Sequence, residues 1–314
     1  MAQPILKCRK IDFIRNLIIG VIIIQFINTL LISTCEGSSI TGAGAEENTK
    51  PRKCIMVFGA HADDVDEIAG GTFAKYIAMG YEGVYVCVTN NLAGCNLEKT
   101  PYFEGSVFTV SDSPRKYPVG GFETNQIRSE EAKAAAAVYG AVPVLFDFCE
   151  PEIYLGRKVI IYGTQDYLNY NPPGRKQINL ATRYSEDVNV VYDILKQYKP
   201  EIVITHTLGG EKLDHEGTAY MIYLAFKKAM DDKVPVGKLW MTVNGWLLDT
   251  TSQKNGRGKP DVHIDVRNHL KTKYEALDKH LSQNGGSGRE YVIKNRTQPK
   301  EVIEEFITVI DNTK

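Results

Sequence analysis

Five short apolar runs constrain this chain more than any other feature. CIMVFGA (54 to 60), VYVCVTN (84 to 90), VPVLFDF (142 to 148), EIVITH (201 to 206) and KLWMTVN (238 to 244) have strand length, and most are too continuously apolar for a sheet with one wet face. Between them lie the helical patterns IAGGTFAKYIAMG, NQIRSEEAKAAAAVYG and SEDVNVVYDILKQYKP. In the last of these Val188, Val191, Leu195 and Tyr198 fall at helical spacing, and Ser185 stands where a cap belongs. Strand alternating with helix implies right-handed crossovers and an α/β fold, a mainly parallel sheet covered by helices on both faces. EVIEEFITVI, near the C-terminus, reads as a closing helix.

At 314 residues, one catalytic domain with additions accommodates the chain. The additions are at the front. Lys7, Arg9, Lys10 and Arg15 precede NLIIGVIIIQFINTLLIS, an apolar run near the length that spans a bilayer, so residues 1–35 read as a signal peptide or a membrane anchor. LISTC, ending at Cys35, is similar to a lipoprotein cleavage site, although Thr34 sits where a smaller residue is usual. Residues 36–52 have the Gly, Ser, Thr and charge content of a flexible linker, and 53–314 form the catalytic domain. Such a leader implies an exported or membrane-anchored protein (secreted, periplasmic or a surface lipoprotein), with membrane contact through this segment if it is not cleaved.

A net charge of −1 provides no broad basic field for nucleic acid. Cys54 and Cys87 lie inside strand-like runs as small core hydrophobes, only Cys95 and Cys149 are placed to meet, and no C-x-x-C suggests a thiolate zinc site. Residues 91–124 and 150–182 are long, rich in Gly, Asn, Pro and Tyr, and without a sustained period, which marks them as candidate substrate walls. Tyr154, Tyr162, Tyr167 and Tyr170 are either platforms for sugar rings or packing anchors.

Ligands of an open parallel sheet gather at the carboxyl ends of its strands. There, directly after the first run, the chain reads GAHADDVDEIAGGT. A nucleotide-binding turn has its glycines at this point. Here they come late, and the turn holds acids that repel phosphate. His61 and Asp64, three residues apart, are instead a compact ligand pair for a borderline divalent cation. A third ligand has to come from another strand end. After EIVITH, which closes on His206, the segment TLGGEKLDHEGTA supplies Asp214 and His215, and His215 can complete the set with a position left open for water.

The same residues carry a family resemblance. A-H-A-D-D-V-D-E-I-A-G-G-T resembles the A-H-P-D-D and G-G-T pattern of the LmbE-like/PIG-L deacetylases, zinc-dependent hydrolases that remove acetyl groups from N-acetylglucosamine-type amides. I-R-S-E-E-A-K-A-A-A-A-V-Y-G, T-H-T-L-G-G-E-K-L-D-H and K-Y-E-A-L-D-K-H-L-S-Q match further family blocks in the same order, from 54 to 285. The resemblance implies a Rossmann-like three-layer sandwich, zinc (or another divalent transition metal) on His61, Asp64 and His215, and Asp63 as general base. Zinc chemistry suits those roles, since the ion polarises an amide carbonyl and lowers the pKa of water while an adjacent carboxylate takes the proton. The resemblance further implies substrate contact for Arg128 and for Glu150, which stands where the family usually has an aspartate; alternatives are an i,i+3 pair of Arg128 with Glu131 and a solvated Glu150. Asp66 reads as structural, and His280 as either pocket-facing or packing.

Two departures stand out. Ala62 replaces the family proline, losing rigidity but no chemical group. Lys212 occupies the place of the first histidine in H-P-D-H, a residue that handles the oxyanion or the proton; lysine can supply charge there but is a poor proton shuttle, and His206 is a candidate to take over. Asp63, Lys212 and Asp214 form the candidate catalytic set, and His206 joins Arg128, Glu150 and His280 as a candidate substrate contact. The reading is a zinc amidohydrolase that deacetylates an amino sugar, free or in a glycan, of unassigned oligomeric state. The alternative is a metal-containing carbohydrate-binding protein with little or no turnover. A glycosidase fits less well, because its two carboxylates flank a bond, whereas these acids cluster with histidines.

Overall fold

The structure, a computed structural model, describes residues 53–92, 100–104, 107–111, 121–155, 158–170, 175–209, 212–243, 259–283 and 302–313. In chain order the elements begin β1 (Cys54–Gly59), α1 (Asp64–Ala78), β2 (Glu82–Thr89), a hairpin of β3 (Thr100–Glu104) and β4 (Val107–Ser111), α2 (Gly121–Tyr139) and β5 (Val142–Phe148). There follow a second hairpin of β6 (Glu152–Leu155) and β7 (Lys158–Ile161), α3 (Gln165–Tyr170), α4 (Ile178–Ala181), α5 (Ser185–Tyr198), β8 (Ile202–Thr205) and α6 (Leu213–Asp231). The chain continues through β9 (Lys238–Thr242), β10 (Val262–Asp265), α7 (Leu270–Leu277) and β11 (Ile303–Asp311).

β1 is buried at every position because both of its sides are used. Cys54, Met56 and Phe58 pack with Val84, Val86 and Val88 of β2 against α5 and α6, while Ile55 and Val57 pack with Tyr85 and Cys87 against α1, α2 and α7. The sequence-based expectation of a three-layer α/β sandwich therefore holds. The sheet has seven strands in the order β10-β11-β9-β8-β1-β2-β5. β9, β8, β1, β2 and β5 are mutually parallel neighbours, and β11 runs antiparallel between β9 and β10. From β1 the chain winds outward through β2 to β5 and then returns to place β8 on the other flank of β1. That reversal opens a crevice beyond the carboxyl ends of β1 and β8, where open α/β sheets bind ligands.

The expected helix at 301–310 is a strand, β11. Ile303, Phe306, Ile307 and Ile310 have helical spacing, but the residues are largely β-branched, and the strand finds partners on both edges. Phe306 stacks on Trp240 at 5.9 Å between ring centroids. The two long stretches expected to lack regular structure each contain a hairpin, and α2 begins at Gly121, inside the first of them. Ser185 is the first residue of α5 rather than its cap; Tyr184 holds the cap position, with no side-chain cap bond.

The late glycines of the first motif serve packing. A Cβ on Gly71 would lie 2.6 Å from the Cβ of Val266. At the same place β11 contributes Glu304, whose carboxylate accepts from the Gly71 and Thr72 N–H groups at 3.0 and 2.7 Å and from Lys273 Nζ at 2.7 Å. The leader, the linker, Cys95, Tyr154 and Tyr170 lie outside the described residues or side chains. Among the described residues no helix is long and apolar enough to cross a membrane. Cys54, Cys87 and Cys149 are buried free thiols, and burial pushes Cys54 and Cys87 up to about 12.

Gly71→Ala is expected to lower unfolding stability by about 1–3 kcal/mol through overpacking against Val266. Gly209→Ala, whose Cβ meets nothing within 4 Å, is the near-neutral comparison. Urea midpoints of the two variants measure the difference, and equal midpoints would contradict the packing role.

Candidate metal centre

The turn after β1 is built around a close approach. A Cβ on Gly59 would stand 2.8 Å from Asp64 Cβ and 2.9 Å from the His61 carbonyl, so only glycine lets α1 start this near the strand end. The Asp64 carboxylate then folds back to accept the His61 N–H at 2.6 Å. From the other side of the crevice, α6 begins just past the loop after β8 and carries Asp214 and His215 in its first turn.

Three side chains converge between these elements. His61 Nδ1 is 3.3 Å from Asp64 Oδ2 and 3.3 Å from His215 Nε2, and the last two atoms are 3.6 Å apart. Ligands about 2.0–2.2 Å from a tetrahedral zinc ion stand about 3.3–3.6 Å from one another, so this triangle fits a divalent ion and is wide for direct hydrogen bonds. The other nitrogen of His61, Nε2, faces Asp214 Oδ2 at 3.1 Å and Glu150 Oε1 at 3.5 Å. Nε2 is buried and makes no well-aligned hydrogen bond to either carboxylate, while Nδ1 faces the triangle. Two overlapping groups, His61–Asp214–His215 and Asp64–His206–His215, also bring ligand atoms together. His206 is a poorer ligand, because its Nε2 accepts the Ala60 N–H at 3.0 Å. Its ring stacks on His215 at 4.1 Å.

The charges are strongly coupled. Burial disfavours ionised Asp64, but the imidazoles of His215, His206 and His61 outweigh it and hold the carboxyl well below its ordinary range. Burial likewise opposes ionisation of Asp214, and His61 overrides it. For His61 itself burial opposes protonation, yet Asp64 and Asp214 raise its pKa well above the usual histidine value.

The family model for PIG-L, described as GlcNAc-PI de-N-acetylase, matches residues 56–226 of this chain. The chain belongs to the PIG-L family. Membership supports deacetylase activity, and the matched segment holds every residue of the cluster above. Three solved structures share the fold. N,N'-diacetylchitobiose deacetylase from Pyrococcus horikoshii, bound to an inhibitor, has a TM-score of 0.52 and 16% identity over 82% of this chain and 84% of its own. The zinc-inhibited form of the teicoplanin deacetylase Orf2 has a TM-score of 0.52 and 14% identity, covering 81% and 96%. 4-Carboxy-2-hydroxymuconate hydratase from Pseudomonas putida has a TM-score of 0.50 and 19% identity, covering 83% and 98%.

The remaining candidates of this PIG-L chain sit around the triangle in distinct ways. Arg128 Nη2 donates to Asp63 Oδ1 at 2.7 Å, both groups being buried. Glu131, the i,i+3 neighbour of Arg128, accepts from the Ser282 N–H and hydroxyl at 2.7 and 2.6 Å. Two residues expected to touch substrate are sealed inside. Glu150 is fully buried and accepts from the Thr89 hydroxyl at 3.1 Å, so it braces His61 instead. His280 is also fully buried, 2.7 Å from Asp66 Oδ2. Asp66 Oδ1 accepts from the Tyr139 hydroxyl at 2.7 Å, and the Tyr85 hydroxyl reaches both Asp66 Oδ2, at 2.8 Å, and the Ala62 carbonyl. Asp66 is thus structural, as its sequence position suggests. Lys212 is exposed at the N-cap of α6. Tyr167 is a packing anchor: it is buried, donates to the Glu150 carbonyl at 2.7 Å, and packs on Tyr162.

Burial works against the protonated form of His280, but the hydrogen bond and charge of Asp66 prevail and raise its pKa above the ordinary 6.5. The native state therefore binds this proton more tightly than the unfolded chain. The stabilisation is fully present below the unfolded-state pKa and is lost as pH rises through the raised native value. His280→Gln is expected to cost about 3 kcal/mol at pH 6 by leaving Asp66 without its cationic partner. The gap from the parent protein should narrow at alkaline pH. Urea unfolding across pH measures it, and a pH-independent gap would refute the ion-pair account.

Proposed function

We propose that this chain is a metal-dependent amidohydrolase that removes an acetyl (acyl) group from an N-acetylated amino sugar, free or within a glycan or glycoconjugate, with zinc or another divalent transition metal as cofactor. The observation that carries the reading is the triangle of His61 Nδ1, Asp64 Oδ2 and His215 Nε2, at tetrahedral ligand spacing, with the carboxylate of Asp63 next in sequence. These three side chains would hold the ion, which would supply Lewis acidity toward the amide carbonyl and a lowered pKa for water.

Asp63 accepts a proton from the attacking water. Arg128 fixes Asp63 Oδ1 and keeps the side chain from turning away, so Arg128 acts through the base rather than on the sugar. Water oxygen bonds to the carbonyl carbon, the C–N bond breaks, and the proton held by Asp63 passes to the departing nitrogen, giving acetate and a free amine. Asp214 and Glu150 orient His61 through its Nε2. Lys212, exposed at the amino end of α6, brings positive charge toward the developing oxyanion from the solvent side, a place where the helix dipole also favours negative charge. His206 stacks on the His215 ring and so limits its rotation. The N-terminal run in turn supports an exported or membrane-anchored enzyme whose substrates lie outside the cytoplasm.

Acetate release from N-acetylglucosamine oligomers tests the proposal. Turnover should disappear on chelation and return with zinc. Asp63→Asn should lower kcat by about 10²–10⁴-fold while retaining the metal, whereas His215→Ala should lose the metal. Glycan binding without acetate release would favour the carbohydrate-binding alternative, and chelator-resistant activity would remove the metal from the mechanism. Lys212→Ala should reduce kcat by about tenfold with KM little changed, the mark of a group that acts on the transition state; unchanged kcat would take Lys212 out of the catalytic set.

A further inference from the structure

We infer that Asn91 is a positioning residue for the metal centre: its side-chain carbonyl holds the peptide between His61 and Asp63, replacing with a hydrogen bond the rigidity that a proline at position 62 would provide. This rests on the reading of His61 as a ligand and Asp63 as the base. Ala62 is fully buried, and its N–H donates to Asn91 Oδ1 at 2.8 Å. Proline has no such donor. The alanine at this position therefore makes the bond to Asn91 available.

The other end of the Asn91 amide is also committed. Nδ2 donates to the Thr89 carbonyl at 3.1 Å and lies 3.0 Å from Cys87 Sγ. A flipped amide would set its NH2 against the Ala62 N–H, donor against donor, so one orientation is selected. Asn91 adopts a left-handed backbone, φ 55°, a conformation that asparagine tolerates better than most residues. The strand end it occupies reaches the metal centre twice. Asn91 grips the Ala62 N–H, while Thr89 donates to Glu150, which stands 3.5 Å from His61 Nε2. Tyr85 takes the Ala62 carbonyl from the same strand. Both ends of one residue are thus tied to β2, and the side chains on either side of it are the ligand and the base. A loosened Ala62 moves both together, and a few tenths of an ångström exceeds what a tetrahedral ligand set tolerates.

Asn91→Gly is the informative variant, because glycine keeps the positive φ without strain and removes only the side chain. Zinc affinity of the full-length protein, measured by competition with a chromophoric chelator, should fall by about 10–100-fold, and kcat should drop with KM little changed. Ala62→Pro in the N91G background should bring zinc affinity back to within about threefold of the parent, since the ring supplies the lost constraint. The assignment is overturned if N91G retains parental zinc affinity even when it melts earlier, or if A62P deepens the N91G defect. Should N91G not fold, the double variant decides: folded and zinc-binding supports the assignment, and unfolded or zinc-free overturns it. Parental protein that binds zinc but releases no acetate would refute the proposed function and leave this test standing.

Discussion

A strand that is apolar on both faces can present polar groups at only one kind of place, its ends, and the rest of this structure depends on how β1 uses that fact. Every residue from Cys54 to Gly59 is buried. The first ionisable groups the chain can offer come at His61, Asp63 and Asp64, where the strand leaves the sheet. Because β8 returns on the flank of β1 opposite β2, a second strand end opens into the same crevice. α6 then turns His215 toward His61 across 154 positions of sequence. The helices on each face are what hold β1 and β8 in parallel register, so the apolar layers fix the distance between ligands that the chemistry needs.

This arrangement explains which parts were legible in the sequence. β1, β2, β5, β8 and β9 announce themselves because uninterrupted apolar runs have few other uses, and the cluster of His61, Asp64 and His215 does so because the first two are close in sequence and the third lies in a comparable place after another strand. The supporting residues do not announce themselves. Tyr85, Asn91 and Tyr139 act at separations of 23, 29 and 73 residues from their partners, and a tyrosine in a strand or an asparagine after one is ordinary. Glu150 and His280 are of residue types that suit contact with a sugar, and only tertiary packing reveals that both are buried. β11 was misread because Ile303, Phe306, Ile307 and Ile310 satisfy a helical period, while the pairing that makes them a strand comes from β9 and β10.

Around the crevice, buried charges are handled in pairs that keep their functions apart. Asp63 is matched by Arg128, Asp66 by His280 with two tyrosine hydroxyls, and Glu304 by Lys273 with two backbone N–H groups. Each pair ties α1 or its leading turn to a different element: α2, the segment after α7, and β11. α1 is thereby anchored at successive points along its length. Its glycines then allow the close approach that brings Val266 and Lys273 against it. The same helix whose amino end carries Asp64 cannot shift without breaking buried ion pairs, and breaking such a pair is costly because an uncompensated charge remains.

The centre itself is organised differently. The carboxylates of Asp64, Asp214 and Glu150 stand around His61, and His206 and His215 lie against Asp64. If the imidazoles are neutral, several carboxylate charges share a buried volume, which their mutual repulsion and desolvation strongly oppose. A proton on His61 relieves this, and the raised pKa of His61 is that response. A divalent cation would relieve it more completely, since it would bring two charges to the same atoms. Protons and a divalent ion would therefore compete at His61. A divalent cation would fit this centre for the same reason that buried carboxylates need positive charge close by.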